Sequence, residues 1–178
     1  FMEQEYPGDE QEALAPPRAQ SIFDRDMIAG MMEDCCDPIR TVGAAKIYQE
    51  PRASRRYVSG TDVASGVGMD YSVTVVVDAA SGYVVADLVT NTIQPEDFSA
   101  ASMKLLEEYD NPDWGIENNF SDTVLTVARD MNYPKLYRRR IGRGRQMRRE
   151  YGWRTDRMSR QFLFDELRAE FNAGHLTI

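Results

Sequence analysis

Alternation of apolar and polar residues predicts three strands in the middle of the chain. They cover residues 57–64, 72–78 and 83–90, and the second is rich in β-branched residues. Glycine-containing turns at 64–70 and 79–82 separate them. Because the connections are short, we expect the three strands to form an antiparallel meander.

Beyond residue 90 the apolar spacing changes to that of a helix. Gln94-Pro95 opens a predicted helix that ends at Asp110-Asn111-Pro112, and strand 113–117 follows. Next come a helix capped by Ser121, a short fifth strand over 135–139, a basic loop over 140–154, and a last helix capped by Thr155 and closed by Gly174. Upstream, residues 21–34 predict a short helix with Ser21 as its N-cap, and 35–56 show no clear pattern.

This order of elements predicts an α/β fold around a five-stranded mixed sheet. Its first three strands are antiparallel. The helix before strand 113–117 allows that strand to lie parallel to, and beside, strand 57–64.

Each of these two strands ends in an acidic residue, Asp62 or Glu117, and Gly60 or Gly115 lies two residues earlier. Residues i and i+2 share a face of a strand, so each carboxylate has bare backbone beside it. A glycine inside a strand often marks the close approach of a ligand. Two carboxylates at one sheet edge can hold hard divalent cations, and paired metals drive phosphodiester cleavage. A strand-end turn is the alternative role for Asp62.

The net charge of −8 hides a segregated distribution. Residues 1–40 carry ten acids and three bases, whereas 135–160 carry eleven bases and two acids. A local basic stripe is typical of phosphate binding whatever the net charge. We expect a DNA clamp, with a solvated loop or a protein-docking patch as alternatives, formed by Arg138, Arg139, Arg140, Arg143, Arg145, Arg148 and Arg149.

The termini and the cysteines add further expectations. Residues 1–20 are acidic and interrupted by prolines, which favours a linker or tail. The chain starts with Phe1 and has no signal-peptide pattern, so we expect a piece of a longer intracellular protein. Cys35 and Cys36 are adjacent, an arrangement poorly suited to an ordinary disulfide, which agrees with a reducing compartment.

Four segments resemble the nuclease domain of the large terminase subunit of tailed bacteriophages. They are GTDVASGVGMDYS at 60–72, IENN at 116–119, YPKLY at 133–137, and GWRT at 152–155 followed by Arg160. The resemblance covers most of the chain and implies an RNase H-like fold with helices on both faces of the sheet. It also implies an endonuclease that uses two Mg²⁺ or Mn²⁺ ions to cut concatemeric viral DNA during packaging.

By this resemblance, Asp62 and Glu117 match catalytic metal ligands. Asp70 is a candidate auxiliary ligand, with a turn-forming role as the alternative. Asn119 is a candidate hydrogen-bonding support for the ligands, also with a turn as the alternative. The family places a further aspartate beyond the last helix, and the sequence stops at Ile178, so we expect this ligand to be missing here.

The resemblance also implies a domain plan and partners. Residues 1–50 would be a linker after a missing ATPase domain, and 51–178 a nuclease domain truncated at its C-terminus. The expected partners are double-stranded DNA, a portal protein and a small terminase subunit, and no membrane is expected to be involved. A ring of subunits is expected only for the full-length parent protein. The expected site of action is the cytoplasm of the bacterial host. The alternatives are a catalytically incomplete DNA-binding or docking module, or another RNase H-like enzyme such as a junction resolvase.

Overall fold

The structure, a computed structural model, describes residues 23–64, 68, 70–119, 122–142 and 147–175. In chain order the elements are α1 (Arg25–Asp34), β1 (Arg40–Val42), β2 (Ala45–Ile47), β3 (Tyr57–Asp62), β4 (Ser72–Asp78), β5 (Val84–Thr90), α2 (Pro95–Glu108), β6 (Asp113–Ile116), α3 (Thr123–Asp130), β7 (Arg138–Ile141), β8 (Arg148–Tyr151) and α4 (Arg157–Asn172). None of the helices in these ranges is long and apolar enough to cross a membrane.

The central sheet has six strands in the order β1-β2-β5-β4-β3-β6. The meander β3-β4-β5 is antiparallel, and β6 lies parallel to β3 on its other side. Both arrangements confirm the sequence prediction. The parallel pairing is possible because α2 carries the chain back along the sheet between β5 and β6.

Two strands of the sheet lie in the segment that showed no clear pattern. β1 pairs with β2, and β2 pairs with β5 through Ala45↔Leu88 and Ile47↔Ala86. Ala45 and Ile47 are buried in the main core. The sheet therefore has six strands rather than five, and it begins at Arg40 rather than at residue 51.

The predicted fifth strand and the basic loop after it form a separate two-stranded sheet. β7 pairs with β8 in antiparallel register, and the residues that flank this hairpin meet the edge of β6 through single bridges, Leu136 with Trp114 and Trp153 with Glu117. Two guanidinium groups of the hairpin stack on aromatic rings in it or just after it. The Arg138 Cζ lies 4.2 Å from the centroid of the Tyr151 ring, and the Arg139 Cζ lies 4.7 Å from the centroid of the Trp153 ring. These stacks stabilise strands that lack an apolar face.

One face of the sheet packs on α2 and α3. Phe98, Leu105 and Leu106 of α2 and Val124 and Ala128 of α3 are fully buried. α2 begins with Pro95 in its first turn and ends where Asp110 and Asn111 adopt left-handed backbone, as the sequence indicated. α4 lies on the opposite side of the sheet, where its Leu163 and Glu170 line clefts shared with Val58.

The helix caps differ from the predicted ones by one to three residues. Asp24 caps α1 and Asp156 caps α4, the latter in a reciprocal capping box with Ser159, so Thr155 is not the cap. Asp122 precedes α3 without a side-chain cap bond. Ser21 and Ser121 lie outside the described residues. Gly174 has a φ of 71° just past α4, as expected for a residue that ends a helix.

Candidate active site

Asp62 and Glu117 lie next to each other at the ends of β3 and β6. The register pairs Thr61 with Ile116, and the Glu117 backbone N–H donates to the Thr61 carbonyl at 2.9 Å. Register partners on paired strands share a face, and Thr61 and Ile116 are both buried against α2 and α3, so the next residues, Asp62 and Glu117, both leave the sheet on the opposite side. Their carboxyl groups are close enough to share a hydrogen bond. The structure therefore brings together the two residues that the glycine spacing singled out.

The Glu117 carboxyl has an unusual electrostatic environment. Partial burial raises its pKa above the ordinary value of 4.5, and the hydrogen bond and negative charge of Asp62 raise it further. A hydrogen bond from Thr155 and the positive charge of Arg160 oppose the rise. A second positive charge beside the two carboxylates would relieve the remaining repulsion, which is what a bound cation supplies.

Asn119 fixes the Glu117 side chain to the start of α4. Its side-chain amide donates to Glu117 Oε1 at 2.8 Å and to the Thr155 carbonyl at 2.8 Å, and it accepts the Thr155 N–H at 2.7 Å. The two bonds to the backbone of Thr155, one accepted and one donated, leave the Asn119 amide a single orientation. Asn119 can thus hold the carboxylate in one rotamer.

The segment at 152–153 supports the free edge of β6. Trp153 donates its N–H to the Ile116 carbonyl at 2.7 Å, and Asn118 donates its N–H to the Trp153 carbonyl at 3.0 Å. Gly152 makes this approach possible, because it has a φ of 77° and a Cβ there would lie 2.8 Å from the Ile116 carbonyl oxygen. The Glu117 backbone is therefore held from both sides, by β3 and by this segment.

A cleft of about 700 Å³ runs along the sheet from the carboxylates. Gly60 and Gly115, which are register partners, form its floor. Its walls and ends include Val58, Tyr137, Trp153, Thr155, Leu163, Arg56, Asp113 and Glu117. The two glycines that flank the carboxylates in sequence thus lie side by side and leave a strip of sheet without side chains.

The basic hairpin lies beside this cleft. Arg140 and Arg149 are directly opposite each other across β7 and β8, and both are exposed. Within the described residues neither has an ion-pair partner, whereas Arg148 pairs with Glu150 at 2.8 Å. Like charges opposite each other on paired strands are destabilising unless an anion lies between them. Arg143 and Arg145 lie outside the described residues.

Other candidate ligands are not gathered at this site. Asp70 is exposed, and in the described part of the chain no group of three or more His, Cys, Asp or Glu side chains could hold a metal ion. Asp70 therefore does not complete a three-carboxylate cluster with Asp62 and Glu117. Cys35 and Cys36 are free and exposed. Thr155 and Arg160 belong to a segment that carries the family resemblance, but their position beside Glu117 could not be predicted, because it depends on where α4 begins relative to β6.

The fold is that of phage large terminase nucleases. No protein-family model and no curated protein sequence matches the chain. The large terminase nuclease from the thermophilic phage G20c superposes with a TM-score of 0.61 at 17% identity, over 85% of this chain and 73% of that one. The same nuclease with bound magnesium gives 0.62 at 16% identity, over 85% and 72%. The nuclease domain from Thermus phage P74-26 gives 0.57 at 18% identity, over 85% and 70%. The RNase H-like architecture expected from the sequence is confirmed.

Proposed function

We propose that this chain is the metal-dependent endonuclease domain of a phage large terminase, which cuts concatemeric viral DNA during packaging. The observation that carries the proposal is the pair Asp62 and Glu117, set side by side on parallel strands in a fold shared with such nucleases. A structural neighbour with bound magnesium supports a metal site in this fold.

The donor set fits a hard divalent cation. Carboxylate oxygens suit Mg²⁺ and Mn²⁺, and Mg²⁺ typically keeps several waters while it binds one or two carboxylates. Burial, and after it the hydrogen bond and charge of Asp62, raise the pKa of Glu117, and the repulsion between the two carboxylates favours a cation between them. We propose that Asp62 and Glu117 would be ligands of two divalent ions. Further oxygens would come from bound waters and from the phosphate of the substrate.

In the proposed reaction the chain holds the reacting groups in place. The bound ions would supply an activated water and neutralise charge on the leaving 3′ oxygen. Asn119 keeps the Glu117 carboxylate in one rotamer, and Thr155 keeps Asn119 in one orientation. Arg160 provides positive charge near the same carboxylate. No covalent enzyme intermediate is required.

We propose that the basic hairpin grips the phosphate backbone through Arg138, Arg139, Arg140, Arg143, Arg145, Arg148 and Arg149. Arg140 and Arg149 should contribute most, because they face each other without an ion-pair partner among the described residues.

Replacing both with Gln should reduce the slope of log K against log salt by about two units. Lys104→Gln is the control, because Lys104 is an exposed positive charge on α2, which packs on the other face of the sheet. An unchanged slope in the double variant would contradict the assignment.

The decisive test is cleavage of supercoiled plasmid with Mn²⁺, Mg²⁺ or EDTA. We expect metal-dependent nicking that falls more than about 100-fold in Asp62→Ala and in Glu117→Ala, since even the outer partners of a metal site are worth 10- to 100-fold. DNA binding in EDTA should persist in both variants. Asp97→Ala on α2 is the matched control, since it removes an exposed acid that does not line the cleft and lies on the other face of the sheet. Full cleavage by Asp62→Ala would exclude the mechanism.

One observation favours a second candidate, a DNA-binding or docking module without catalysis. Only two carboxylates meet at the site within the described residues, which is few for two ions. This candidate predicts salt-sensitive DNA binding and no nicking with any metal. Preference for branched DNA over linear duplex would instead indicate a junction resolvase.

The proposed context follows from the terminase assignment. The parent protein would act on double-stranded DNA in the cytoplasm of the bacterial host, in a ring on the portal protein and with a small terminase subunit. Pull-down of the portal and small subunit of the same phage by the full-length parent tests this assignment.

A further inference from the structure

The cleft beside the carboxylates has the size and lining of a small-ligand site. Its volume of about 700 Å³ lies within the roughly 300–1,000 Å³ of clefts that bury small organic molecules. A base that is paired and stacked inside a duplex cannot enter such a space, whereas a base taken out of the stack can. Glu117, where the proposed chemistry takes place, is among the residues that line the cleft.

The floor of the cleft is flat and empty. A Cβ added at Gly60 would meet no atom within 4 Å, and one at Gly115 would meet only the Ser59 carbonyl oxygen at 3.8 Å. Neither glycine needs positive φ, so the backbone does not require glycine at either position. Steric crowding in the protein does not explain the presence of these two glycines either. Space for a ligand does explain it, because any side chain here would fill the cleft.

The walls of the cleft suit an uncharged aromatic ring. Tyr137 and Trp153 lie with ring centroids 6.4 Å apart and an angle of 40° between their planes, and Leu163 of α4 adds apolar surface. Aromatic side chains of this kind are the platforms on which nucleic-acid bases stack. Arg139, which lies over the Trp153 ring, joins this wall to the basic hairpin and therefore to a chain of phosphates.

We propose that the glycine-floored cleft binds one unpaired, unstacked nucleoside of the strand that is cut, next to the scissile phosphate. The proposal rests on the proposed nuclease function and defines its substrate more narrowly. The substrate would be a DNA duplex in which one strand is locally unpaired, rather than a fully paired duplex. The charges agree with this occupant: the carboxylates with their cations hold the phosphate, the neutral base lies over the glycines, and the hairpin arginines hold the adjoining backbone. Opening a base pair costs energy, so DNA that is already unpaired should be preferred.

Binding in EDTA tests the cleft without any catalysis. The probes are a fluorescein-labelled 24-base-pair duplex and the same duplex with three extra unpaired thymidines at its centre, measured by fluorescence anisotropy. We expect the wild-type chain to bind the bulged duplex roughly tenfold more tightly, as stacking of one base predicts. In Gly60→Val this preference should disappear while affinity for the paired duplex stays the same.

Two controls separate filling of the cleft from loss of the fold. Valine is favoured in strands and its Cβ would meet no atom within 4 Å at residue 60, so the melting temperature of Gly60→Val should equal or exceed that of the wild type. Gly30→Val adds the same side chain on α1, where a Cβ also meets nothing, and should keep the preference. If Gly60→Val unfolds, Gly115→Ala replaces it, because its Cβ makes only an ordinary contact.

The outcomes distinguish the two proposals. Equal affinity of the wild-type chain for both duplexes, or a preference that survives in folded Gly60→Val, overturns the nucleoside site and leaves the nuclease untouched. A preference that is lost in Gly60→Val supports the site even if the plasmid assay shows no cleavage, a result that would overturn only the nuclease. Binding of neither duplex overturns both. With Mn²⁺, cuts next to the bulge support the site, and cuts spread evenly along the duplex overturn it.

Discussion

The two faces of the β3–β6 pair have opposite characters, one closed and one open. Towards α2 and α3, Ser59, Thr61, Trp114 and Ile116 are buried. Towards α4, the same strands present glycines, then the carboxylates, over an open cleft. Because residues alternate between faces, one stretch of six residues encodes both a packed core and an open site. Variants on the first face should therefore change stability, and variants on the second should change binding and chemistry.

Among these variants, Trp114→Ala should cause the largest loss of stability on the packed face. Trp114 is fully buried, donates its indole N–H to Thr61 Oγ1 at 2.8 Å and packs edge-on against Tyr133. Its truncation should lower the free energy of unfolding by about 3–5 kcal/mol, measured by urea denaturation. Tyr137→Ala, which shortens an aromatic residue of the cleft wall, is the comparison and should cost far less. Equal losses in the two variants would remove the distinction between the faces.

Gly152→Ala tests the contact that supports β6 from outside the sheet. The new Cβ would lie 2.8 Å from a backbone oxygen in a left-handed conformation, so the variant should lose about 1–3 kcal/mol of stability. Gly30→Ala has no such neighbours, lies in α1, and should be neutral or slightly stabilising. Thermal melting of the two variants side by side checks this, and a normal melting temperature for Gly152→Ala would show that the segment can move away.

Thr61→Val tests the polar part of the packed face. Thr61 Oγ1 accepts from Trp114 and bonds Thr74 Oγ1 at 2.7 Å, which in turn bonds Ser102 Oγ of α2 at 2.9 Å. Valine has the same shape but leaves buried partners unpaired, which should cost about 1–3 kcal/mol in urea denaturation. Thr61→Ser keeps the hydroxyl and should recover part of that loss. If serine were no better than valine, packing rather than hydrogen bonding would explain the cost.

Glu117→Gln should have the smallest effect on stability, and the effect should depend on pH. The folded-state pKa of Glu117 lies above its unfolded value, so the folded protein binds the proton more tightly and loses stability as pH rises from about 4.5 through the raised pKa. Glutamine removes this loss, so in EDTA the variant should melt slightly above the wild type at pH 7. Below about pH 4 the two should converge. A difference that does not change with pH would contradict the electrostatic explanation.

Sequence patterns were sufficient where one face of a strand or helix is buried. β4 alternates strictly between buried and half-buried residues, and α2 has its apolar residues at helical spacing. The meeting of Asp62 with Glu117 could be predicted because strand order and the glycine spacing both indicated one sheet edge. Local periodicity and topology were thus sufficient to predict the fold and the centre of the candidate site.

The rest depends on contacts that leave no local pattern. β1 and β2 have three residues each, too few to show a period, and they are strands only because β5 offers an edge. The hairpin β7–β8 is rich in arginine and is held by stacking on Tyr151 and Trp153, which no alternation of apolar residues reveals. The bond between Asn119 and Thr155 joins distant segments, so only the folded chain shows how Glu117 is oriented.

The parallel pairing of β3 with β6 has a consequence for how the protein is made. The meander β3-β4-β5 can form from neighbouring residues, whereas β6 joins only after α2 has been synthesised and has crossed the sheet. Asp62 therefore has no partner until the last and slowest of these pairings is complete. We expect a nascent or partly unfolded chain to lack the proposed metal site, so the order of folding itself would keep the proposed nuclease inactive until the sheet is complete.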